Sequence, residues 1–336
     1  MQPHKTDRSI ADFTPQRLDL RQDWVSTEFF DGSHYPLVLR PRLDGVVLKD
    51  WVRHNRERVC EYLLRHGALL FRGFPVGTRE EFREVIAQVN DQFLSYEDRS
   101  SPRSEISSRV YTSTDHPADQ YINMHNESSY SQNWPMKIAF YCHVAPRANG
   151  ETPIADVRKV LGFLRPETVE AFAARGIMYR RHLQEGIGLS WKEVYRTTDK
   201  KEVEYRCRAK DVDFRWTPDG GLIIHWTRPA VQNHPVTGER VWFNHGYFFN
   251  SRALSEEVRR AFSSEEELSF DTFFADGARI PPEFLDEIRA GYERAVVVFA
   301  WQRGDILLLD NMLMAHGRHP FEGPREINVV MCEPRF

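Results

Sequence analysis

The sequence predicts a mixed α/β protein with a mainly β core and helices packed outside it. Two observations favour this class: short apolar runs typical of buried strands stand near both ends of the chain, and segments with helical periodicity lie between them. No repeat, low-complexity tract or clear linker interrupts the 336 residues. We therefore expect one domain over residues 46–336, preceded by a polar, proline-containing arm or lid at residues 1–45.

In the N-terminal half, the apolar spacing between residues 49 and 66 predicts a helix, and Gly67 stands where a helix commonly ends. Thr78 suits the start of the next helix because acidic residues fill the turn that follows it. The runs ALLF and KIAFYCHV predict buried strands. The predicted helices cover residues 49–66, 78–89 and 166–175, and the predicted strands cover residues 68–71 and 137–144.

The C-terminal half is mixed and then becomes rich in strand signals. Residues 185–290 form an expected insertion, with strands near 222–226 and 241–243 and helices near 255–262 and 282–292. Three strand signals follow, at residues 294–301, 305–309 and 327–331. Because strands flank the mixed segment on both sides, we expect it to interrupt one domain rather than to form a second.

Charge and composition restrict the function classes. Lys and Arg number 45 against 49 Asp and Glu, for a formal charge of −4, whereas nucleic-acid binding usually shows as basic excess or basic clusters. No apolar run approaches the roughly 20 residues that cross a bilayer, and the first residues lack the apolar segment of a signal peptide. Four scattered cysteines without a CxxC pair predict reduced thiols. We expect a cytosolic protein that acts on small molecules, without nucleic acid or membrane as partner.

The triplet His125-Asn126-Glu127 is a candidate metal-binding element. On extended backbone, side chains two residues apart point to the same side, so one metal ion could take both the imidazole and the carboxylate. By itself, the triplet is more typical of a solvated pair in a loop. His316, after the predicted strand at 305–309, is by itself more typical of a structural histidine. Arg325, nine residues later, is by itself typical of a surface charge.

Together these residues predict a specific chemistry. Two histidines and one carboxylate form the facial triad that suits non-haem Fe(II) and leaves coordination positions open. A bidentate 2-oxo acid and O₂ require those positions. The far carboxylate of the 2-oxo acid requires a fixed cation, and Arg325 suits this role because a guanidinium binds carboxylates with two hydrogen bonds. Thr152, in the run GETPIAD, is placed to add a hydroxyl donor.

Two long segments carry a family resemblance. The runs MHNESSYSQNWPMKIAFYCHVAPRANGETPIAD and WQRGDILLLDNMLMAHGRHPFEGPREINVVM resemble the TauD/TfdA superfamily of Fe(II)/2-oxoglutarate dioxygenases, in its SyrP-like and clavaminate-synthase-like branch. The phrases SSPRSEISSRVYTSTDHPADQ and TGERVWFNHGYFF share this similarity, so the resemblance spans roughly residues 68–331. It implies a double-stranded β-helix (jelly roll) with flanking helices and a long insertion between the strands that carry the metal ligands.

The resemblance also implies a cofactor and a reaction. Fe(II) is expected on His125, Glu127 and His316, with 2-oxoglutarate on Arg325 and Thr152 and O₂ as the second co-substrate. The implied activity is oxidation of an unactivated C–H bond, by hydroxylation, desaturation or ring closure, in an amino acid or an amino-acid-derived natural-product intermediate.

Two positions narrow the implied reaction and substrate. The halogenating relatives replace the metal-binding carboxylate with a small residue, whereas Glu127 is present here, which favours an oxygenating or desaturating outcome. Taurine dioxygenase holds its sulfonate with an arginine four residues after the co-substrate arginine, and this position is Val329 here. The resemblance therefore does not extend to a sulfonate substrate.

Several residues are candidates for contact with the substrate, each with a structural alternative. Tyr130 lies in the loop that directly follows the metal-binding triplet, but it could equally pack under a strand. Asn244 and His245 could bind a polar substrate group, although a buried structural histidine is the commoner case. Arg103 and Thr114 could help bind the carboxylate and ammonium of an amino acid, while a strand-edge salt bridge is the alternative.

Two other function classes remain open from the residues. A zinc hydrolase could use the same His, Glu and His set, but zincins carry HExxH on a helix and no HExxH occurs here. A jelly-roll binding module that has lost turnover is the second alternative. Such a module would, however, be expected to have lost either one residue of the His, Glu and His set or Arg325. The partner we expect is a small molecule, either free or tethered to a carrier protein. The sequence leaves the oligomeric state undetermined.

Overall fold

Helices and strands alternate along the chain, which a computed structural model describes for residues 24–94, 105–107, 110–112, 116–262 and 264–335. The helices of these residues are α1 (Leu48–His54), α2 (Arg56–His66), α3 (Arg79–Ala87), α4 (Val157–Phe163), α5 (Pro166–Arg175), α6 (Trp191–Tyr195), α7 (Lys200–Ala209), α8 (Glu256–Arg260) and α9 (Pro282–Ala295). Short 3₁₀ helices cover Ser251–Ala253 and Glu265–Glu267. Among the described helices, none is long and apolar enough to cross a membrane.

The largest sheet has eight strands, all paired antiparallel except for one parallel pair, β2 with β3. In spatial order the strands are β1 (Val25–Glu28), β2 (Leu37–Pro41), β3 (Ala68–Phe71), β17 (Ile306–Asp310), β7 (Trp134–Val144), β20 (Glu326–Arg335), β5 (Val110–Thr112) and β4 (Glu105–Ser107).

A smaller antiparallel sheet faces the large one. Its strands in spatial order are β16 (Val296–Val297), β9 (Ile154–Asp156), β18 (Met314–Arg318) and β6 (Ile122–His125). Alternation along β17 shows how the core is divided, because Leu307 and Leu309 belong to the core shared with the smaller sheet, whereas Leu308 belongs to the core under α1–α3. The two sheets thus form the predicted double-stranded β-helix, with helices on the outer face of the large sheet.

The insertion forms a sheet of its own. Its strands in spatial order are β11 (Asp213–Trp216), β12 (Leu222–Arg228), β10 (Ile177–Leu183) and β15 (Phe270–Phe274). Two further pairs are β13 (Val231–Asn233) with β14 (Arg240–Trp242), and β8 (Ala148–Asn149) with β19 (Phe321–Glu322). One face of the insertion sheet packs on α6 and α7 in a separate small core. Its other face presents aromatic side chains toward the jelly roll.

The N-terminal segment contributes to the large sheet. Residues 25–41, which belong to the predicted arm, form β1 and β2, and β2 pairs in parallel with β3. The apolar run Leu37-Val38-Leu39 explains this strand, because all three side chains are buried. The division into an arm at 1–45 and a domain from 46 stays a prediction.

Several predicted elements differ in extent from the observed ones. The predicted helix 49–66 is two helices, because Asn55 leaves helical geometry (φ −117°, ψ 23°) and its side-chain amide donates to the Trp51 carbonyl at 2.9 Å. The predicted strand 294–301 was wrong over most of its length, since α9 extends to Ala295 and β16 holds only two residues. The predicted strands 68–71 and 305–309 and the helix 166–175 are confirmed within one residue. The four cysteines are free thiols, as predicted.

Candidate metal centre and co-substrate site

Pairing of two strands of the smaller sheet brings the candidate histidines together. His125 on β6 and His316 on β18 are direct cross-strand partners, and their ring centroids lie 4.4 Å apart. His125, Glu127 and His316 each offer a ligand atom, and these three atoms all lie within 4.8 Å of one another. Glu127 and His316 are buried and His125 is half-buried. The structure therefore assembles the three predicted residues into one group that could hold a metal ion.

Glu127 reaches this group by a route that differs from the predicted one. Strand β6 ends at His125, and a turn begins at Glu127, so extended alternation does not orient the carboxylate. Asn311 instead holds the backbone of Glu127, because its Oδ1 accepts from the Glu127 amide at 2.8 Å and its Nδ2 donates to the Glu127 carbonyl at 2.9 Å. The same Nδ2 donates to the Pro135 carbonyl at 2.8 Å. Asn311 is thus a supporting residue of the site.

The donor set fits a divalent metal. Nδ1 of His125 lies 2.9 Å from the Asn123 carbonyl oxygen, and a carbonyl only accepts, so the hydrogen sits on Nδ1 and the lone pair on Nε2. A ligating histidine is commonly fixed in this way by a hydrogen bond at its other nitrogen. Rings close the group on two sides, since Phe248 lies 4.7 Å from the His125 ring and Phe140 lies 5.0 Å from the His316 ring. Imidazole, imidazole and carboxylate is the donor set that suits Fe(II).

Arg325 is held by the backbone at Gly150, just before β9. Its Nε donates to the Gly150 carbonyl at 2.8 Å. Gly150 has φ +71°, and a Cβ placed there would lie 2.7 Å from the Phe321 Cβ and 3.1 Å from the Arg325 Cδ. Burial, with the neighbouring Arg318 as a second cause, lowers the pKa of Arg325 to about 10. The guanidinium therefore keeps its positive charge at neutral pH, as binding of a carboxylate requires.

Thr152 lies on the same short segment as Gly150. Backbone hydrogen bonds tie this segment to the strand that carries His316, from the His319 amide to the Glu151 carbonyl at 3.1 Å and from the Gly317 amide to the Pro153 carbonyl at 3.0 Å. Thr152 is buried, and its Oγ1 accepts a hydrogen bond from the Trp301 indole at 3.1 Å. Both predicted co-substrate residues are thus anchored beside the strand that carries His316.

The turn after Glu127 is held by side chains of the insertion. Ser129 Oγ lies 2.6 Å from His245 Nδ1, and the Trp226 indole donates to the Tyr130 carbonyl at 2.7 Å. Arg228 donates to the Ser131 carbonyl. These contacts leave no spacing signal in the sequence, because residues about 100 positions apart meet here. The insertion and the candidate metal centre therefore share one wall.

His245 lies close to the candidate metal centre, and Tyr130 packs against His245. The His245 ring is 5.5 Å from the His125 ring and 4.9 Å from the Tyr130 ring. His245 is 2 % exposed, and burial, with the nearby His125 as a second cause, lowers its pKa well below the usual value. A neutral imidazole, Tyr130 and Phe249 form an aromatic wall next to the ligand group.

Other predicted residues have different surroundings. Asn244 uses its amide on the backbone, donating to the Ala230 carbonyl and accepting from the Gly246 amide, both at 2.8 Å, which is the pattern of a turn residue. Val329 is fully buried in the core between the two sheets. Arg103 and Thr114 lie outside the described residues.

A jelly roll with two cross-strand histidines and a nearby carboxylate has the arrangement of the non-haem iron oxygenases. The comparisons with known proteins agree with this class. Residues 33–331 match the family described as "Taurine catabolism dioxygenase TauD, TfdA family", and the chain belongs to this family. It is an Fe(II)- and 2-oxoglutarate-dependent oxygenase.

Individual relatives are similar over most of their length. The dapdiamide synthesis protein DdaC of Enterobacter agglomerans is 39% identical, covering 91% of this chain and 93% of its own. A clavaminate synthase-like protein of Arabidopsis thaliana is 30% identical, covering 90% and 95%. Among solved structures, PvcB, described as an Fe, alpha-ketoglutarate-dependent oxygenase from an isonitrile synthetic pathway, superposes with a TM-score of 0.55 at 15% identity over 96% of this chain and 95% of its own. This last likeness supports the fold.

Proposed function

We propose that His125, Glu127 and His316 bind Fe(II), that Arg325 and Thr152 bind 2-oxoglutarate, and that the enzyme oxidises an unactivated C–H bond of an amino acid or amino-acid-derived natural-product intermediate. The observation that carries this proposal is the convergence of the three ligand atoms within 4.8 Å in a jelly roll. Hydroxylation is one outcome, and desaturation or ring closure is the other.

The residues of the chain divide the work of such a reaction. When bound, Fe(II) would use O₂ as the oxidant and 2-oxoglutarate as the co-reductant to supply the oxidising power for C–H oxidation, with succinate and CO₂ as co-products. Arg325 holds the far carboxylate of 2-oxoglutarate by a charge-assisted pair, and Thr152 adds a hydroxyl donor. Asn311 holds Glu127 so that its carboxylate stays with the two histidines. Phe140 and Phe248 exclude water from the ligand group.

The substrate class rests on similarity and on the wall beside His125. The relative at 39% identity is named for dapdiamide synthesis, which supports a natural-product substrate. The position that would carry the second arginine of taurine dioxygenase is a buried valine, Val329, so a simple sulfonate is disfavoured. We propose Tyr130 and His245 as residues that line the substrate space, because the His245 ring lies next to His125 and the Tyr130 ring packs against His245. Arg103 and Thr114 stay sequence-based candidates for the same role.

Succinate formation tests the activity. The protein is purified anaerobically, loaded with Fe(II) and supplied with 2-oxoglutarate, O₂ and a panel of amino acids, both free and carried on a carrier protein. We expect succinate that depends on Fe(II) and is lost in the double variant His125→Ala, Glu127→Ala. An exposed histidine provides the matched control, since His34→Ala should leave succinate formation unchanged.

The alternatives give different results in the same preparation. Metal occupancy that survives the double variant would contradict the proposed ligand set. Calorimetry with 2-oxoglutarate separates the classes further, because a zinc hydrolase or a binding module without turnover would not bind the co-substrate in an Fe(II)-dependent way. Membership of a dioxygenase family favours the oxygenase over both.

A further inference from the structure

Trp301 lies beside the proposed co-substrate site without being one of its ligands. It stands in the loop between β16 and β17, and it is 6% exposed. Its indole nitrogen donates to Thr152 Oγ1 at 3.1 Å. An indole nitrogen can only donate, so Thr152 acts as the acceptor in this pair.

This pairing determines what the Thr152 hydroxyl can still do. A hydroxyl has one hydrogen to donate and two lone pairs to accept with. Because Trp301 takes a lone pair, the hydrogen points away from the indole. Within the part of the chain that the structure describes, no protein acceptor takes this hydrogen, and Thr152 is 3% exposed. The Thr152 hydroxyl is buried and its hydrogen points away from the indole. It can therefore donate that hydrogen to an anion that binds beside it.

The loop that carries Trp301 is anchored by a buried ion pair. Arg72 donates to the Asp305 carboxylate, with Nε to Oδ1 at 3.0 Å, and to the Ala300 carbonyl at 2.7 Å. Both charged side chains are almost fully buried, at 5% and 1% exposure. The backbone on each side of Trp301 is therefore held by one guanidinium.

Aromatic rings pack around Trp301. Phe299 contacts the Trp301 ring edge-on, with centroids 5.3 Å apart, and stacks on Phe30 at 5.9 Å. The Arg72 guanidinium lies 5.7 Å and 5.8 Å from the two phenylalanine centroids. These contacts connect the Trp301 indole to the N-terminal segment through Phe299 and Phe30. They also restrict the rotamers that Trp301 can adopt.

We infer that Trp301 is a positioning residue for 2-oxoglutarate, acting through the Thr152 hydroxyl. The inference rests on the proposed function, because it assumes that Thr152 binds the co-substrate carboxylate. The inference differs from a simple packing role because the effect of Trp301 on 2-oxoglutarate binding must pass through the Thr152 hydroxyl. Loss of the indole N–H should weaken 2-oxoglutarate binding only while residue 152 carries a hydroxyl group.

The test is a double-mutant cycle read by anaerobic calorimetry of 2-oxoglutarate binding to the Fe(II)-loaded protein. Trp301→Phe keeps a ring and removes the N–H, and it should raise the Kd about 3- to 10-fold, the effect of one neutral hydrogen bond. The same change in a Thr152→Val background should leave the Kd of that background unchanged. In a Thr152→Ser background, which restores the hydroxyl, Trp301→Phe should again weaken binding.

A second tryptophan provides the matched control. The Trp191 indole donates to the Gly220 carbonyl at 3.1 Å in the insertion, so Trp191→Phe removes a comparable hydrogen bond without touching Thr152. It should leave the 2-oxoglutarate Kd unchanged. Trp301→Leu, which also lacks an N–H donor, replaces Trp301→Phe in the cycle if the phenylalanine variant does not fold.

Two results would overturn the inference alone. One is a wild-type Kd in the Trp301 variant, and the other is the same fold-change with and without the Thr152 hydroxyl, which would indicate a packing effect. A wild-type protein that shows no Fe(II)-dependent 2-oxoglutarate binding would overturn the proposed function, and this inference with it.

Discussion

Replacing Gly150 with alanine should weaken co-substrate binding and stability together. The residue has φ +71°, which costs an L-residue about 1–2 kcal/mol. The new methyl group would also lie 2.7 Å from Phe321 Cβ and 3.1 Å from Arg325 Cδ, and such overpacking typically costs about 1–3 kcal/mol. The free energy of unfolding should therefore fall by about 2–5 kcal/mol.

The effect on binding follows from the displacement of Arg325. Its Nε bonds to the carbonyl of the altered residue, so the guanidinium moves with the backbone. Loss of one hydrogen bond to a charged group predicts an increase in the 2-oxoglutarate Kd of about 10- to 100-fold. Denaturant unfolding and anaerobic calorimetry measure the two effects separately.

A second glycine is the matched control. A Cβ at Gly162, in α4, would contact nothing within 4 Å. Gly162→Ala should therefore leave 2-oxoglutarate binding unchanged and stabilise the protein by up to about 1 kcal/mol. Wild-type affinity in Gly150→Ala, despite lowered stability, would show that this glycine does not position Arg325.

Three further predictions concern the metal centre and the core. Asn311→Leu removes the hydrogen bonds to the Glu127 backbone, so the Fe(II) dissociation constant should rise about 10- to 100-fold in an anaerobic titration; an unchanged constant would contradict this role. A divalent metal at 100 times its Kd should raise the unfolding free energy of wild type by about 2.7 kcal/mol, but not that of Glu127→Ala, and equal stabilisation of both would argue against this ligand. Burial raises the pKa of the Cys142 and Cys332 thiols to about 12 from 9.0. Above pH 9 the unfolded thiols ionise while the folded ones stay protonated, so stability falls as pH rises. Between pH 8 and 10 wild type should lose about 3 kcal/mol more than a Cys142→Ala, Cys332→Ala variant in denaturant titrations; parallel profiles would contradict it.

The local sequence was sufficient to predict the elements that bury a continuous apolar face. Strand β3 and helix α5 match their predicted extents because an apolar run or a helical spacing fills each element. Strand β10 was not predicted, although it is central to the insertion sheet. Its segment IMYRRHL carries adjacent arginines, Arg180 and Arg181, that read as solvent-facing residues but are buried. Tertiary contacts, rather than the local sequence, determine that such a segment forms a buried strand.

In the candidate site, too, some features could be predicted from the local sequence and others depend on tertiary contacts. The residue types and the resemblance were sufficient to select His125, Glu127 and His316, which the structure brings together. Glu127 is not oriented by an extended strand, as we predicted, because a turn and Asn311 hold it instead. Contacts between distant segments, such as Trp301 with Thr152, leave no spacing signal along the chain. A helix cap or a turn can be predicted from neighbouring residues in the sequence, whereas a contact between residues 149 positions apart cannot.

The most direct measurement is a crystal structure of the protein grown anaerobically with Fe(II) and 2-oxoglutarate. We predict one metal ion bonded to His125, Glu127 and His316 at about 2.0–2.2 Å, with the far carboxylate of 2-oxoglutarate on Arg325 and on the Thr152 hydroxyl. A metal bound to other side chains, or a co-substrate carboxylate that contacts neither Arg325 nor Thr152, would contradict this prediction.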